Sequence, residues 1–469
     1  MIHLFKLLLI TLIVLPTTAQ AAEVRPTLPP TLQASYDKFA NTGDESAHEA
    51  GQGLIEKVLE LVEANYALEV DLSELATTAI KKIEDSKFEP GKEAPRKVAR
   101  LAVKTMIKSL DPHSSYLTPE AYKELKVRTK GTFGGLGMEV TLDKESGLVK
   151  VIAPIDGTPA ARAGIAAGDL ISHLDDSSLK GLTLRKAVKK MRGKPGSRIK
   201  LTVIRNGDAP FDMVIVRAVI RYVPVKAKLI GKSGYIRITR FNRRTNKAVR
   251  LAIKKIKEKL GEGLRGIVLD LRNNPGGLLN QSVSVAGAFL DGGIVVSSRG
   301  RRDGSSREME ADDGDLTNSA RIIVLINSGS ASASEIVAGA LQDHARATVM
   351  GTRSFGKGSV QTIFKIGDEG ALKITTAMYY LPDGRLIQKH GLTPDIRVVP
   401  EKKSKRRRET DLKRALKSDG NGNATAKHEI KSSQCPVAGK ERKDRMLGCA
   451  LLFLRSRDTT GFLSRVAKP

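Results

Sequence analysis

The 469-residue chain has no tryptophan, and aromatic residues make up only 4% of it. So few stacking side chains leave single-stranded nucleic acid without a platform. The net charge of +28 points by itself to anionic partners. That charge is uneven, however: residues 401–469 hold 19 lysines and arginines against eight acidic residues, so +11 lies there. No basic run alternates with aromatics, which excludes nucleic acid and leaves an anionic membrane surface as the candidate contact. There are only two cysteines, Cys435 and Cys449, and neither has the histidine or asparagine context of a thiol nucleophile. The seven histidines (His3, His48, His113, His173, His344, His390 and His428) are scattered and show no ligand spacing. No metal and no other cofactor is expected. Long apolar runs are also missing. Only residues 7–15 form one, and it is too short to span a bilayer.

That run has a meaning of its own. Lys6, the apolar residues 7–15 and the small-x-small Ala19-Gln20-Ala21 make residues 1–21 read as a secretory signal. The mature chain is then exported and starts near Ala22. An oxidising compartment would allow Cys435 and Cys449 to form one disulfide.

The length leaves room for two to four domains. Residues 22–50 begin rich in Pro, Thr and Ala and are expected to be poorly ordered. Helical spacing runs on from Leu54, over 72–83 and over 96–110, where Asp111-Pro112 ends it. The segment L-D-P-H-S-S-Y-L (110–117) reads as a helix stop with an Asx or Ser turn. In 131–222 a Gly-rich loop (131–137) precedes strands at 138–142 and 149–152, a helix at 184–191 and a strand at 199–205. In 223–400 a strand at 234–239 and a Lys-rich helix at 245–260 lead to a strand at 264–271 and the open turn R-N-N-P-G-G-L. Strand–helix–strand order then implies βαβ units and a partly parallel sheet. Residues 401–469 are basic and polar, with a flexible stretch at 418–425 and helical spacing at 443–455. The fold class is mixed α/β (α+β) and multidomain.

The chemistry concentrates at 321–361. Residues 322–326 form a buried strand, 327–334 a turn of small residues, and 335–342 one helical face. Such a turn exposes a side chain beside the free N–H groups and positive dipole of a helix N-terminus. It offers Ser330, Ser332 and Ser334, and a Gly-rich loop further on delivers Lys357. Serines at such positions are ordinarily N-caps, and an isolated lysine is ordinarily solvated. G-T-R-S-F-G-K at 351–357 also fits G-x-x-x-x-G-K, but Gly358 stands where a phosphate loop needs Ser or Thr, and a strand-like segment follows. A triad built on His344 or His390 is a further chemical possibility.

The stretch G-S-A-S-A-S-E followed by G-T-R-S-F-G-K-G-S-V-Q resembles the active site of the carboxy-terminal processing (tail-specific) proteases, Ser/Lys-dyad peptidases. The resemblance extends from about residue 54 to 398. One departure is Met378, where that family usually has arginine. By this resemblance Ser332 is the nucleophile, Lys357 the general base and Gln361 the residue that orients it. The oxyanion donors would be the N–H of Ala333 and one from Gly276 or Gly277, which the sequence leaves open. Residues 131–222 resemble a PDZ domain. Gly135, Leu136, Gly137 and Met138 would bind a substrate's C-terminal carboxylate, and Arg192 would carry a signal from that domain to Gln361.

The organisation implied is a signal peptide (1–21), a helical region (22–130), a PDZ-like domain (131–222), a protease core (223–400) and a basic tail (401–469). The function implied is cleavage of exported, periplasmic proteins chosen by a free apolar C-terminus. An adaptor protein, a membrane surface and a second copy of the chain are further candidate partners. A catalytically silent PDZ scaffold is the rival reading.

Overall fold

In the computed structural model of the chain, residues 28–41, 43–86, 88, 94–302, 304–312, 314–401, 407–418, 425–439 and 444–467 are described. The segment read as a signal peptide lies outside them, as does most of the stretch read as flexible at 418–425.

The chain divides into two compact units, residues 1–64 with 72–103, and residues 65–71 with 104–469. The first is helical. Residues 30–40 are not poorly ordered as expected, since helix Pro30–Ala40 buries Leu32, Ser35, Tyr36 and Ala40 along one face. Pro30 at its start is no obstacle, because the first helical N–H has no partner anyway. The next helix, Glu45–Asn65, begins nine residues before its apolar spacing becomes regular. Tyr36 is fully buried and donates its hydroxyl to the His48 carbonyl at 2.9 Å, while His48 Nε2 pairs with Asp37 at 2.9 Å. Polar side chains thus help to hold the first two helices together.

The second unit holds a seven-stranded sheet. In spatial order its strands are Val225–Ile230, Ser233–Ile238, Gly266–Asp270, Ile322–Ile326, Thr348–Gly351, Ile396–Val399 and His428–Lys431. All neighbours are parallel except the first pair. Gly266–Asp270 and Ile322–Ile326 are wholly buried, which explains their unbroken aliphatic runs. Helices Thr245–Leu260, Leu279–Ala286 and Ala333–Asp343 are crossovers between these strands. Ile253, Val285, Ile336 and Val337 pack with Ile267, Leu269 and Val324 in one apolar core.

The sheet continues past Pro400. His428–Lys431 adds in register to Ile396–Val399. Helix Arg445–Arg455 packs Leu447, Leu451 and Leu454 in a second core with Val268, Ile323 and Leu325. Cys435 and Cys449 are joined in a disulfide.

Residues 138–216 form an antiparallel sheet with helix Leu184–Met191. The Gly-rich segment read as a loop is partly a strand, Thr132–Gly135, paired with Ala218–Arg221. Its glycines allow close approach: a Cβ on Gly134 would lie 2.0 Å from the Gly193 carbonyl. A further antiparallel sheet brings Ser115–Leu117 and Ser359–Ile366 to either side of Gly370–Tyr380. The segment 110–117 is therefore a turn, as read, that runs into a strand the spacing did not reveal.

Candidate active site

Strand Ile322–Ile326 ends at a turn that leads directly into helix Ala333–Asp343. The three serines of this turn have different fates. Ser330 is fully buried, donates to the Leu271 carbonyl at 2.9 Å and accepts from the Asn327 N–H at 3.0 Å. Ser334 is also fully buried and donates to the Asn274 carbonyl at 2.9 Å. Both are structural. Ser332 alone lines a cavity of about 290 Å³. It stands at the N-cap position, yet its backbone is at φ 55° and ψ −118°. Capping serines sit in the β region, and a non-glycine residue held at positive φ marks a strained site.

Lys357 lies on a loop followed by strand Ser359–Ile366, where a phosphate loop would continue as a helix. Two buried groups bind this loop to the serine turn. The Glu335 carboxylate accepts the N–H of Ser332 at 2.6 Å, of Gly356 at 2.7 Å and of Lys357 at 3.0 Å, and the Ser354 hydroxyl at 2.5 Å. Burial pushes its pKa up to about 7, against the downward pull of those hydrogen bonds. Tyr379 donates its hydroxyl to the Lys357 carbonyl, and its oxygen lies 3.4 Å from the Ser332 carbonyl. Burial raises that phenol well above its ordinary value, so it remains a donor.

Lys357 Nζ donates to Gln361 Oε1. Burial and then the positive charge of Lys373 lower the Lys357 pKa to about 8, while Glu409, Glu335 and Asp111 oppose them. Lys373 shares the cavity, and it too is lowered by burial. Arg128 and Arg240 also line the cavity, but no carboxylate does among the described residues. Leu125, Phe241, Leu278, Ile336, Val360 and Ile363 supply apolar walls.

The Pro-Gly-Gly turn lies against the serine. A Cβ on Gly276 (φ 91°) would come within 2.9 Å of both the Ala333 nitrogen and Ser332 Cβ, and one on Gly277 (φ 151°) within 2.0 Å of the Phe241 carbonyl. The Gly276 N–H donates to Asn274 Oδ1 at 3.0 Å. Gly277, unlike Gly276, is among the cavity-lining residues, and so is Ala333.

In the antiparallel domain the segment 135–138 leads from one strand into the next. The Leu136 and Gly137 carbonyls accept from Ala160 and Ile155 at 2.9 Å each, whereas their N–H groups donate to nothing among the described residues. The next strand, Met138–Leu142, is an edge of its sheet. Arg192 is not brought to Gln361 by any hydrogen bond. Its guanidinium stacks 4.6 Å over Phe133, and its Nε is buried without a partner among the described residues. His344 and His390 do not line the serine cavity; His344 Nε2 is bonded to the Ile294 carbonyl at 2.7 Å.

Sequence reading missed Tyr379 and Lys373, and it took Glu335 only as part of a motif. Their roles come from contacts between distant segments, which no local spacing encodes.

The pattern of peptidase family S41 matches residues 232–398, and that of a PDZ domain matches residues 134–210. A carboxy-terminal-processing protease of Bartonella bacilliformis is 53% identical over 312 residues, covering 66% of this chain and 71% of that one. A carboxyl-terminal-processing protease of Synechocystis sp. is 36% identical over 301 residues, covering 63% and 69%. Among solved structures, a photosystem II D1 C-terminal processing protease is 29% identical, with a TM-score of 0.47, covering 75% of this chain and 95% of its own. The chain therefore belongs to the carboxy-terminal-processing proteases, PDZ-bearing serine peptidases of family S41.

Proposed function

We propose that the chain cleaves exported proteins near their C-termini, with Ser332 as nucleophile, Lys357 as general base and Gln361 orienting the lysine. The observation that carries this is one cavity holding all three, with the Lys357 amine lowered to about 8 and tied to Gln361 Oε1. Neutral Lys357 takes the Ser332 Oγ proton as Oγ attacks the peptide carbonyl. The oxyanion is held by the N–H of Ala333 and of Gly277, since Gly276 is already committed to Asn274. As the C–N bond breaks, the Lys357 ammonium returns the proton to the leaving amine. Water then attacks the Ser332 ester, giving a proton to Lys357, and breaking of the ester bond re-forms the hydroxyl.

Substrate choice is assigned to the PDZ domain. The free N–H groups of Leu136 and Gly137 suit a terminal carboxylate. The edge strand Met138–Leu142, which packs on the same apolar core as Ala187 and Met191 of helix Leu184–Met191, leaves room for a peptide to add as a further strand. The Cys435–Cys449 disulfide suits an oxidising, periplasmic location.

The test is cleavage of an unfolded protein with an apolar C-terminal tail. Ser332→Ala and Lys357→Ala should each lose at least about 10³-fold in kcat while keeping the wild-type circular dichroism. Appreciable turnover by either variant would sink the dyad. A wild type that binds the tail without cutting it would leave a PDZ scaffold.

A further inference from the structure

A glutamine amide has two ends of the same shape, and only its oxygen can accept from a lysine. What decides which end faces Lys357 lies behind the amide. Gln361 Nε2 donates to Ser359 Oγ at 2.9 Å and to Thr375 Oγ1 at 3.2 Å, which leaves Oε1 for Lys357. Ser359 is 2% exposed and Thr375 fully buried, so water cannot replace either acceptor. The strand register shifts between Val360 and Gln361 and sets Gln361 opposite Thr375. Such bulges re-aim a side chain.

Thr375 is itself held from a remote part of the chain. Its N–H donates to Ser114 Oγ at 3.1 Å, the two hydroxyl oxygens lie 3.5 Å apart, and its carbonyl accepts from Ala67 at 2.9 Å. Ser114 donates its hydroxyl to Asp111 Oδ2 at 2.5 Å. The other oxygen of Asp111 accepts the N–H of His113 at 2.7 Å and of Ser114 at 2.9 Å. Asp111 and Ser114 are both buried.

We propose that Thr375, Ser114 and Asp111 are positioning residues, a buried chain that fixes the Gln361 amide so that its oxygen, never its NH2, faces Lys357. The inference rests on the Ser332/Lys357 reading. With the oxygen inward, one lysine N–H is anchored and the lone pair of the neutral amine is free to point at Ser332. A flipped amide would set donor against donor and turn the lysine away. The segment 111–114 thus reaches the lysine across some 250 residues of sequence, and its Asx turn is also the far end of the catalytic apparatus.

The test compares Thr375→Val, which keeps the shape and loses the hydroxyl, with Thr375→Ser, which restores the hydroxyl. Valine should lower kcat roughly tenfold or more with KM for a tailed substrate within about twofold, and serine should recover most of the rate. Ser114→Ala should act in the same direction more weakly, and it carries the kcat test if the valine variant does not fold. Urea midpoints measured alongside separate this from general loosening, which lowers the midpoint but leaves kcat per folded molecule unchanged. A valine variant with wild-type kcat, or a serine variant as slow as valine, overturns the inference and leaves the dyad standing. Brisk cleavage by Lys357→Ala would overturn the dyad and this inference with it.

Discussion

Two lysines line one cavity in this protein, and they are held differently. Lys357 is anchored to Gln361. The Lys373 amine makes no hydrogen bond or ion pair among the described residues, and its charge is the second largest cause of the low pKa of Lys357. A depressed lysine is active when neutral, so kcat/KM should rise with pH through a midpoint near 8. The charged groups acting on Lys357 besides Lys373 are Glu335, Glu409 and Asp111, all of which favour its protonated form. Removing Lys373 therefore moves the midpoint up. Lys373→Met should lower kcat/KM roughly threefold at pH 7 and leave the plateau at high pH unchanged. A pH profile on an uncharged fluorogenic peptide checks this, and an unmoved midpoint would show that Lys373 does not tune the base. In the sequence Ser332 and Lys357 stand out through the long motif shared with the processing proteases, since their spacing alone reads as an N-cap and a solvated lysine. Lys373 does not, because it reads as one polar position of a strand until folding places it beside Lys357.

Turns and strand edges make the sites at the next scale, and here the sequence was legible in part. The strand, small-residue turn and helix around Ser332 follow from aliphatic and helical spacing, and the structure adds which serine is free. The glycines of 131–137 were harder to read. Glycine permits both a loop and a strand whose neighbour comes very close, and only Gly193 and Ala218–Arg221 decide between them. The consequence is a turn in which the Leu136 and Gly137 N–H groups are left over among the described residues, beside an edge strand. A peptide with a free carboxylate should bind there at least roughly tenfold more tightly than its amidated form, since charge-assisted hydrogen bonds contribute about 1.5–3 kcal/mol. Calorimetry with the Ser332→Ala protein measures both without cleavage. Equal affinities would remove the carboxylate site from 135–138.

At the scale of the whole molecule, the stretch after Pro400 was the least legible. Its composition is basic and polar, the usual mark of a solvated tail. Yet Glu409 is fully buried, paired with His113 at 2.8 Å and accepting from Gln388 at 2.9 Å, and Gln388 accepts the Gly358 N–H beside Lys357 at 2.8 Å. Asp444 caps helix Arg445–Arg455 and binds Arg272 at 2.7 Å, and Arg272 binds Asp270 at the end of a central strand, also at 2.7 Å. These contacts join segments far apart in sequence, so no local pattern announces them. They make the last strand and its helices part of the second compact unit, and the disulfide closes the loop between Cys435 and Cys449, 14 positions apart. Closing a loop of about 15 residues restricts the unfolded chain by about 3 kcal/mol. Replacing both cysteines by serine should lower the stability of the second unit by about that much. If strand His428–Lys431 and the catalytic sheet unfold together, peptidase activity and circular dichroism will fall at the same lowered urea concentration. Circular dichroism is the needed probe because the chain offers no tryptophan fluorescence. Activity that outlasts an early loss of helical signal in the serine variant would show that the C-terminal helices are attached to the enzyme without being part of its cooperative fold.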